Sequence, residues 1–278
     1  MNLDFPPSPQ GVRVGRALFL GPSGSGKTTL GAAFIHSLEW PKRNIRVVAP
    51  PTKTKLAELL GVKPVGIDIA DSKAQEAYFS HLFEEGTKPY EEGGMDIGLA
   101  LDDADFYFSQ SGRTYGSNGL AAIVKLGREA GFSQVFIGQG SSSISKDVIS
   151  NSTAVFIART TEPNLLEYAR KYMRDIPDIE RVIYDLPPHV FLVYCPNATP
   201  KLQGFVRYNP TTGEIECREP TQQLQEEEPT PEASENTEPD REATTPDEPA
   251  STPDADGSSP TATGPDSATT TPPSTGPN

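Results

Sequence analysis

Short apolar runs alternate along the chain with segments whose apolar residues recur every three or four positions, the pattern of strands exchanging with amphipathic helices. Ala17-Leu18-Phe19-Leu20 is the first run, and Leu30, Ala33, Phe34, Ile35 and Leu38 follow at helical spacing, predicting a helix that ends before Pro41. Ile45–Ala49 reads as a second strand, stopped by Pro50-Pro51. Helices over 53–60 and 73–85 come next, and 62–67 between them reads either as an edge strand or as a loop. The pattern then predicts strand 97–101, helix 117–129, strand 134–138, a helical turn at 146–150, strand 153–158 and helix 163–173. After a short helix at 177–183 the character changes. Val190–Tyr194, Gly204–Tyr208 and, past the Thr212-Gly213 turn, Ile215 read as antiparallel additions at a sheet edge. Buried strands separated by helices predict an α/β fold with a mostly parallel sheet covered by helices on both faces.

The turn between the first strand and the first helix carries a motif. Gly21-Pro22-Ser23-Gly24-Ser25-Gly26-Lys27-Thr28 reads G-x-x-x-x-G-K-T in the strand-to-helix context of a phosphate-binding P-loop. Its glycines let successive backbone N–H groups face a phosphate, and the helix that follows adds the positive end of its dipole. Lys27 is placed to reach the β- and γ-phosphates, the Thr28 hydroxyl to ligate Mg²⁺, and Thr29 completes the nucleotide-binding stretch. A nucleoside triphosphate is the ligand this predicts.

Three further segments fit a phosphoryl-transfer site. Ile97-Gly98-Leu99-Ala100-Leu101-Asp102-Asp103 is an apolar strand ending in two carboxylates, with Asp102 the candidate Mg²⁺ ligand and Asp103 the candidate base for an attacking water. Read without the P-loop, the pair and Asp105 would be solvated acids at a strand end. Strand 134–138 ends in Gly138-Gln139-Gly140, and a carboxamide at a strand's carboxyl end can both donate to and accept from a γ-phosphate or a water. The alternative for Gln139 is a loop side chain facing solvent. Arg128, at a helix end, and Arg159, just after strand 153–158, are candidate arginine fingers. Each could instead serve a helix C-terminus or pair with Glu129 or Glu162. Arg113, in the Gly/Ser-rich stretch 109–116, is a candidate contact to a DNA backbone.

Composition adds a boundary. The net charge of −14 is carried by one end, because residues 221–278 hold 13 acidic residues and a single base, Arg241. That stretch has no aromatic residue and is dense in Pro, Thr, Ser and Glu, so it is expected to be a disordered acidic tail behind a motor-sized domain at 1–220. Cys195 and Cys217 lack the spacing of a zinc or redox site. No apolar stretch resembles a signal peptide or reaches the length of a membrane span, which predicts a cytoplasmic protein.

The P-loop, the strand ending Asp102-Asp103, Leu126-Gly127-Arg128-Glu129, the strand ending Gly138-Gln139, and the later strand ending Arg159-Thr160-Thr161 occur in the order of the HerA/FtsK superfamily of ring-forming DNA pumps, which this chain resembles over about residues 15–175. The small size of the folded part is most similar to the genome-packaging ATPases of tailless viruses with an internal membrane. The resemblance implies that Lys27 and Thr28 bind ATP–Mg²⁺, Asp102 holds the metal, Asp103 activates water, Gln139 senses the γ-phosphate and Arg128 acts in trans, with Arg159 as the other finger candidate. The family usually has Glu where this chain has Asp103. It further implies a homo-oligomer, normally a hexameric ring, acting on double-stranded DNA, in the host cytoplasm or at a packaging vertex with capsid or membrane proteins. A cellular or plasmid-borne DNA translocase or transfer ATPase is the nearest alternative. A small-molecule kinase is another, because Arg170 and Arg174 have the spacing of a kinase lid.

Overall fold

Apolar runs become strands, and their order in space brings distant parts of the chain side by side. The computed structural model describes residues 15–68, 70–88, 92, 96–108, 117–127, 129–140, 144–198, 201–209, 211–212 and 214–219, all within one compact unit. The acidic stretch 221–278, Arg113 and Arg128 lie outside the described residues. Along the chain the elements are β1 (Arg16–Leu20), α1 (Lys27–Ser37), β2 (Ile45–Ala49), α2 (Lys55–Leu60), β3 (Val65–Gly66), α3 (Ser72–Thr87), β4 (Ile97–Leu101) and α4 (Asn118–Leu126). They continue as β5 (Phe132–Gly138), α5 (Lys146–Ser150), β6 (Ala154–Ala158), α6 (Pro163–Tyr172), α7 (Ile179–Tyr184), β7 (Val190–Tyr194), β8 (Leu202–Tyr208) and β9 (Ile215–Arg218).

The described strands form one sheet in the order β3-β2-β4-β5-β1-β6-β7-β8-β9. From β3 to β6 neighbours run parallel, and β7, β8 and β9 extend the sheet antiparallel. Successive strand residues face opposite ways, so each strand feeds two cores. Leu18 and Leu20 join Leu99, Leu101 and Phe136 under α3, α4, α6 and α7. Ala17 and Phe19 join the core under α1 and α2. There Phe19 stacks on Phe156 at 4.3 Å and Phe34 meets both rings edge-on. Trp40 lies flush on β4, where a Cβ at Gly98 would come within 2.2 Å of its ring.

The expected architecture holds, with its boundaries adjusted by local chemistry. β5 begins at Phe132 rather than 134, because Phe132 and Ser133 are buried and pair with Ile97 and Gly98 of β4, and the buried Gln134 amide donates to the Ile123 carbonyl at 2.8 Å. α4 ends at Leu126 rather than 129. The Gly127 carbonyl accepts from the Phe132 N–H at 2.7 Å, and Gly131, in the left-handed region at φ 73°, turns the chain into β5. The ambiguous 62–67 stretch contains the two-residue strand β3, paired with β2. Both cysteines are free thiols, Cys195 buried and Cys217 exposed.

Candidate functional site

A left-handed backbone at Gly21, Gly24 and Gly26, with φ of 149°, 80° and 92°, bends the loop between β1 and α1 into its cradle. Gly21 has a packing reason as well, since a Cβ there would lie 2.6 Å from the Ala158 Cβ at the end of β6. α1 starts at Lys27 with no side-chain cap and no acid in its first turn, so its leading N–H groups are uncommitted and its dipole is unopposed. Lys27 is 7% exposed and folds back over the loop, donating from Nζ to the Pro22 carbonyl at 2.7 Å. Burial lowers the pKa of its ammonium below the usual lysine value, and the charges of Asp103, Asp105 and Asp102 oppose that shift.

Asp102 and Asp103 stand where β4 ends, two strands from β1 with β5 between. Asp102 is 4% exposed, and its Oδ1 accepts from the Thr28 hydroxyl at 3.3 Å and from the Asp103 N–H at 3.1 Å. Burial raises the Asp102 pKa above the carboxylate range, the Asp103 charge adds to the rise, and those two hydrogen bonds and Lys53 oppose it. Asp103 occupies the left-handed region at φ 50°. Its Oδ2 lies 3.2 Å from the Lys53 ammonium. Lys53 escapes sequence reading because its value depends on β2 lying beside β4. The only local signal is a lysine at the carboxyl end of a strand, in a turn closed by the Lys53 N–H on the Pro50 carbonyl.

Asp105 is the second residue that sequence reasoning passed over, as one more solvated acid. Its Oδ2 accepts from the Gln139 N–H at 2.6 Å and its Oδ1 from the Gly140 N–H at 3.3 Å, so it ties the turn after β4 to the end of β5. Gln139 is exposed and lines a cavity of about 490 Å³, bounded by Pro22 and Ser23 of the loop and by Asp105, Phe106 and Glu162. Behind the loop, His189 at φ 60° sets its ring against Gly26, where a Cβ would meet Nδ1 at 3.2 Å.

The arginines separate. Arg159 is exposed, and its guanidinium sits 5.9 Å over the Tyr184 ring instead of on Glu162. Arg170 pairs with Glu180, and Arg174 falls beyond the end of α6, so the kinase-lid spacing is not carried on one helix. Lys27, Thr28, Asp102, Asp103 and Gln139 thus meet at one carboxyl edge of the sheet.

The oxygen donors fit a hard cation. Thr28 Oγ1 and the Asp102 carboxylate are adjacent, and Asp102 is a buried acid whose charge lacks a full counter-ion. Among the described residues there is no cluster of three or more His, Cys, Asp or Glu that could enclose a metal. Such a sparse set suits Mg²⁺, which takes one or two protein oxygens and completes its shell with phosphate and water. No helix among the described residues is long and apolar enough to cross a membrane.

No protein-family model matches the chain. No curated protein matches it in sequence. Solved structures do match in fold. The genome-packaging NTPase B204 from Sulfolobus turreted icosahedral virus 2, in complex with ATP-γ-S, superposes with a TM-score of 0.52 at 18% identity, covering 74% of this chain and 98% of B204. The DNA-packaging ATPase B204 from Sulfolobus turreted icosahedral virus superposes with a TM-score of 0.50 at 17% identity, covering 74% and 97%. The fold is that of a P-loop NTPase, and the family resemblance carried by the motifs extends to three dimensions at the level of fold.

Proposed function

We propose that this chain is an ATP-hydrolysing motor subunit of the HerA/FtsK type that moves double-stranded DNA, packaging a viral genome into a preformed shell. One observation carries the reading. Lys27 and Thr28 after β1, Asp102 and Asp103 after β4, and Gln139 after the intervening β5 converge on one edge, with Asp105 fixing the distance between the last two strands. B204 supports the packaging role, because the fold matches nearly its whole length.

In this reading the loop N–H groups and Lys27 hold the β- and γ-phosphates of ATP. Thr28 and Asp102 would hold Mg²⁺, which neutralises phosphate charge when bound. Asp103 accepts the proton of the attacking water as its oxygen bonds to the γ-phosphorus and the bond to the ADP oxygen breaks. Gln139 orients that water from the cavity wall. Lys27 stabilises the charge left on ADP. Arg128 or Arg159 would complete the site from a neighbouring copy in a hexameric ring. For Arg159 this requires leaving the Tyr184 ring, a contact weak enough at an exposed position to exchange.

ATP hydrolysis by the full chain, measured with and without duplex DNA alongside sizing of the assembly, tests the proposal. The expected result is an oligomer whose hydrolysis rises with DNA. A monomer whose hydrolysis ignores DNA contradicts it.

A further inference from the structure

Phe106 and Leu126 are large apolar side chains, each 50% exposed, and each lines a cavity. They stand at opposite edges of the sheet. Phe106 ends the single helical turn Ala104–Phe106 that follows β4, on the carboxyl edge, in the wall of the cavity that Gln139 lines. Its N–H donates to the Asp103 carbonyl at 3.0 Å, and Asp105 beside it accepts from the Gln139 N–H. The half-exposed ring is therefore carried on a turn tied to both β4 and β5.

Leu126 ends α4, which returns the chain to the amino edge before β5. It borders a cleft of about 360 Å³ whose apolar wall is Phe83, Gly86, Leu126 and Ala130. Phe83 stacks on Phe132 at 6.4 Å, and Gly86 lets α3 close on that same ring, since a Cβ there would lie 2.3 Å from it. An aromatic knob and a partly aromatic cleft are thus built into one chain. They cannot meet within a copy, because the length of β4, about 17 Å for its five residues, separates the two edges. Between copies they can. The charges agree with that pairing: the charged residues lining the cavity beside Phe106 are the acids Asp105 and Glu162, and the cleft carries the exposed Lys88 along with Glu129.

We infer that Phe106 of one copy seats in the cleft beside Leu126 of the next, and that this contact builds the assembly. The occupant of the cleft is a second copy of this chain. Because the contact joins two different surfaces, it repeats head to tail and closes into a ring where the rotation permits. The seated neighbour also covers the wall of the cavity from which Gln139 orients the water. The inference rests on the motor reading proposed above, which calls for such a ring.

The test uses the full chain carrying Cys217→Ser, since Cys217 is an exposed thiol and Cys195 is buried. Phe106→Cys and Leu126→Cys are prepared apart, mixed and treated with a short bismaleimide. The expected product is a covalent dimer of one variant with the other, with none from either alone. No product in the mixture, or equal product from Phe106→Cys alone, would overturn the inference. In sizing experiments Phe106→Asp and Leu126→Asp should each raise the concentration needed for assembly by roughly tenfold or more. Their melting temperatures as dilute protein should match wild type, because both side chains are half exposed. Mixing the two Asp variants should restore dimers, through the one intact knob and the one intact cleft. Assembly at the wild-type concentration in both variants would overturn the inference as well. Cross-linked assemblies whose hydrolysis ignores DNA would end the motor reading and leave the contact standing. DNA-stimulated hydrolysis by an assembly that gives no cross-link would do the reverse.

Discussion

At the amino edge of the parallel strands Arg16, Asn44, Gln134 and Ser152 are buried, and at the carboxyl edge of the same strands Lys27, Asp102 and Asp103 are buried too. Exposure alone does not distinguish the two groups, but their partners do. On the amino side each side chain donates to a main-chain carbonyl: Arg16 to Val124, Asn44 to Asp96, Gln134 to Ile123 and Ser152 to Val148. These bonds fasten loops and helix ends to the sheet. On the carboxyl side charged groups face one another at short range, and burial moves Lys27 below and Asp102 above their ordinary pKa values. The first arrangement gives each side chain a main-chain acceptor, with Asn44 Oδ1 and Gln134 Oε1 left buried without a hydrogen bond, whereas the second sets buried ionisable groups against one another and leaves charge in want of a ligand. Buried polarity marks a site where the charges are incompletely paired.

The largest expected effect separates the edges outright. Lys27→Ala should lower hydrolysis by roughly 10²-fold or more, since it removes a charge that acts on the developing transition state. Its nucleotide-free melting temperature should not fall, because the lost cation was costly to bury. Gln134→Ala should do the opposite, destabilising by about 2 kcal/mol through the lost hydrogen bond and the space left behind. Denaturant unfolding would show the loss, with turnover per folded molecule unchanged. Turnover that collapsed in Gln134→Ala would break the division between edges. Smaller again is Asp105→Ala, which frees the Gln139 and Gly140 N–H groups and should cost about tenfold in kcat with little change in KM. A change confined to KM would place Asp105 with nucleotide binding instead.

Legibility in the sequence follows the same division. β2, β4 and β7 are all-apolar or nearly so, and their expected bounds match the structure to the residue. The expected strand starts two residues short of β5 because Ser133 interrupts the apolar run after Phe132, and nothing local announces that this hydroxyl is fully buried. The P-loop is legible because one contiguous stretch contains the cradle. Lys53 and Asp105 are not, because each acts on a residue brought near by strand order, β2 beside β4 and β4 beside β5. The partner of Arg159 shows the same limit. Sequence proximity suggests Glu162, and the fold supplies Tyr184 from α7.

Thermal unfolding of wild type and Asp102→Asn at neutral pH, with ATP-γ-S and with or without Mg²⁺, tests most directly whether the carboxyl edge is one nucleotide and metal site. Since burial raises the Asp102 pKa, the folded state favours the proton. The contribution of Asp102 to stability is then fullest below the ordinary carboxylate value and is lost as pH rises through the folded value. At neutral pH its ionised form is a burden, so Asp102→Asn should melt no lower than wild type without ligand, and the advantage should shrink as pH falls. With saturating nucleotide, Mg²⁺ should add roughly 5 °C to wild type and nothing comparable to Asp102→Asn. An undiminished Mg²⁺ increment in Asp102→Asn, or no response of wild type to the nucleotide, would contradict the account.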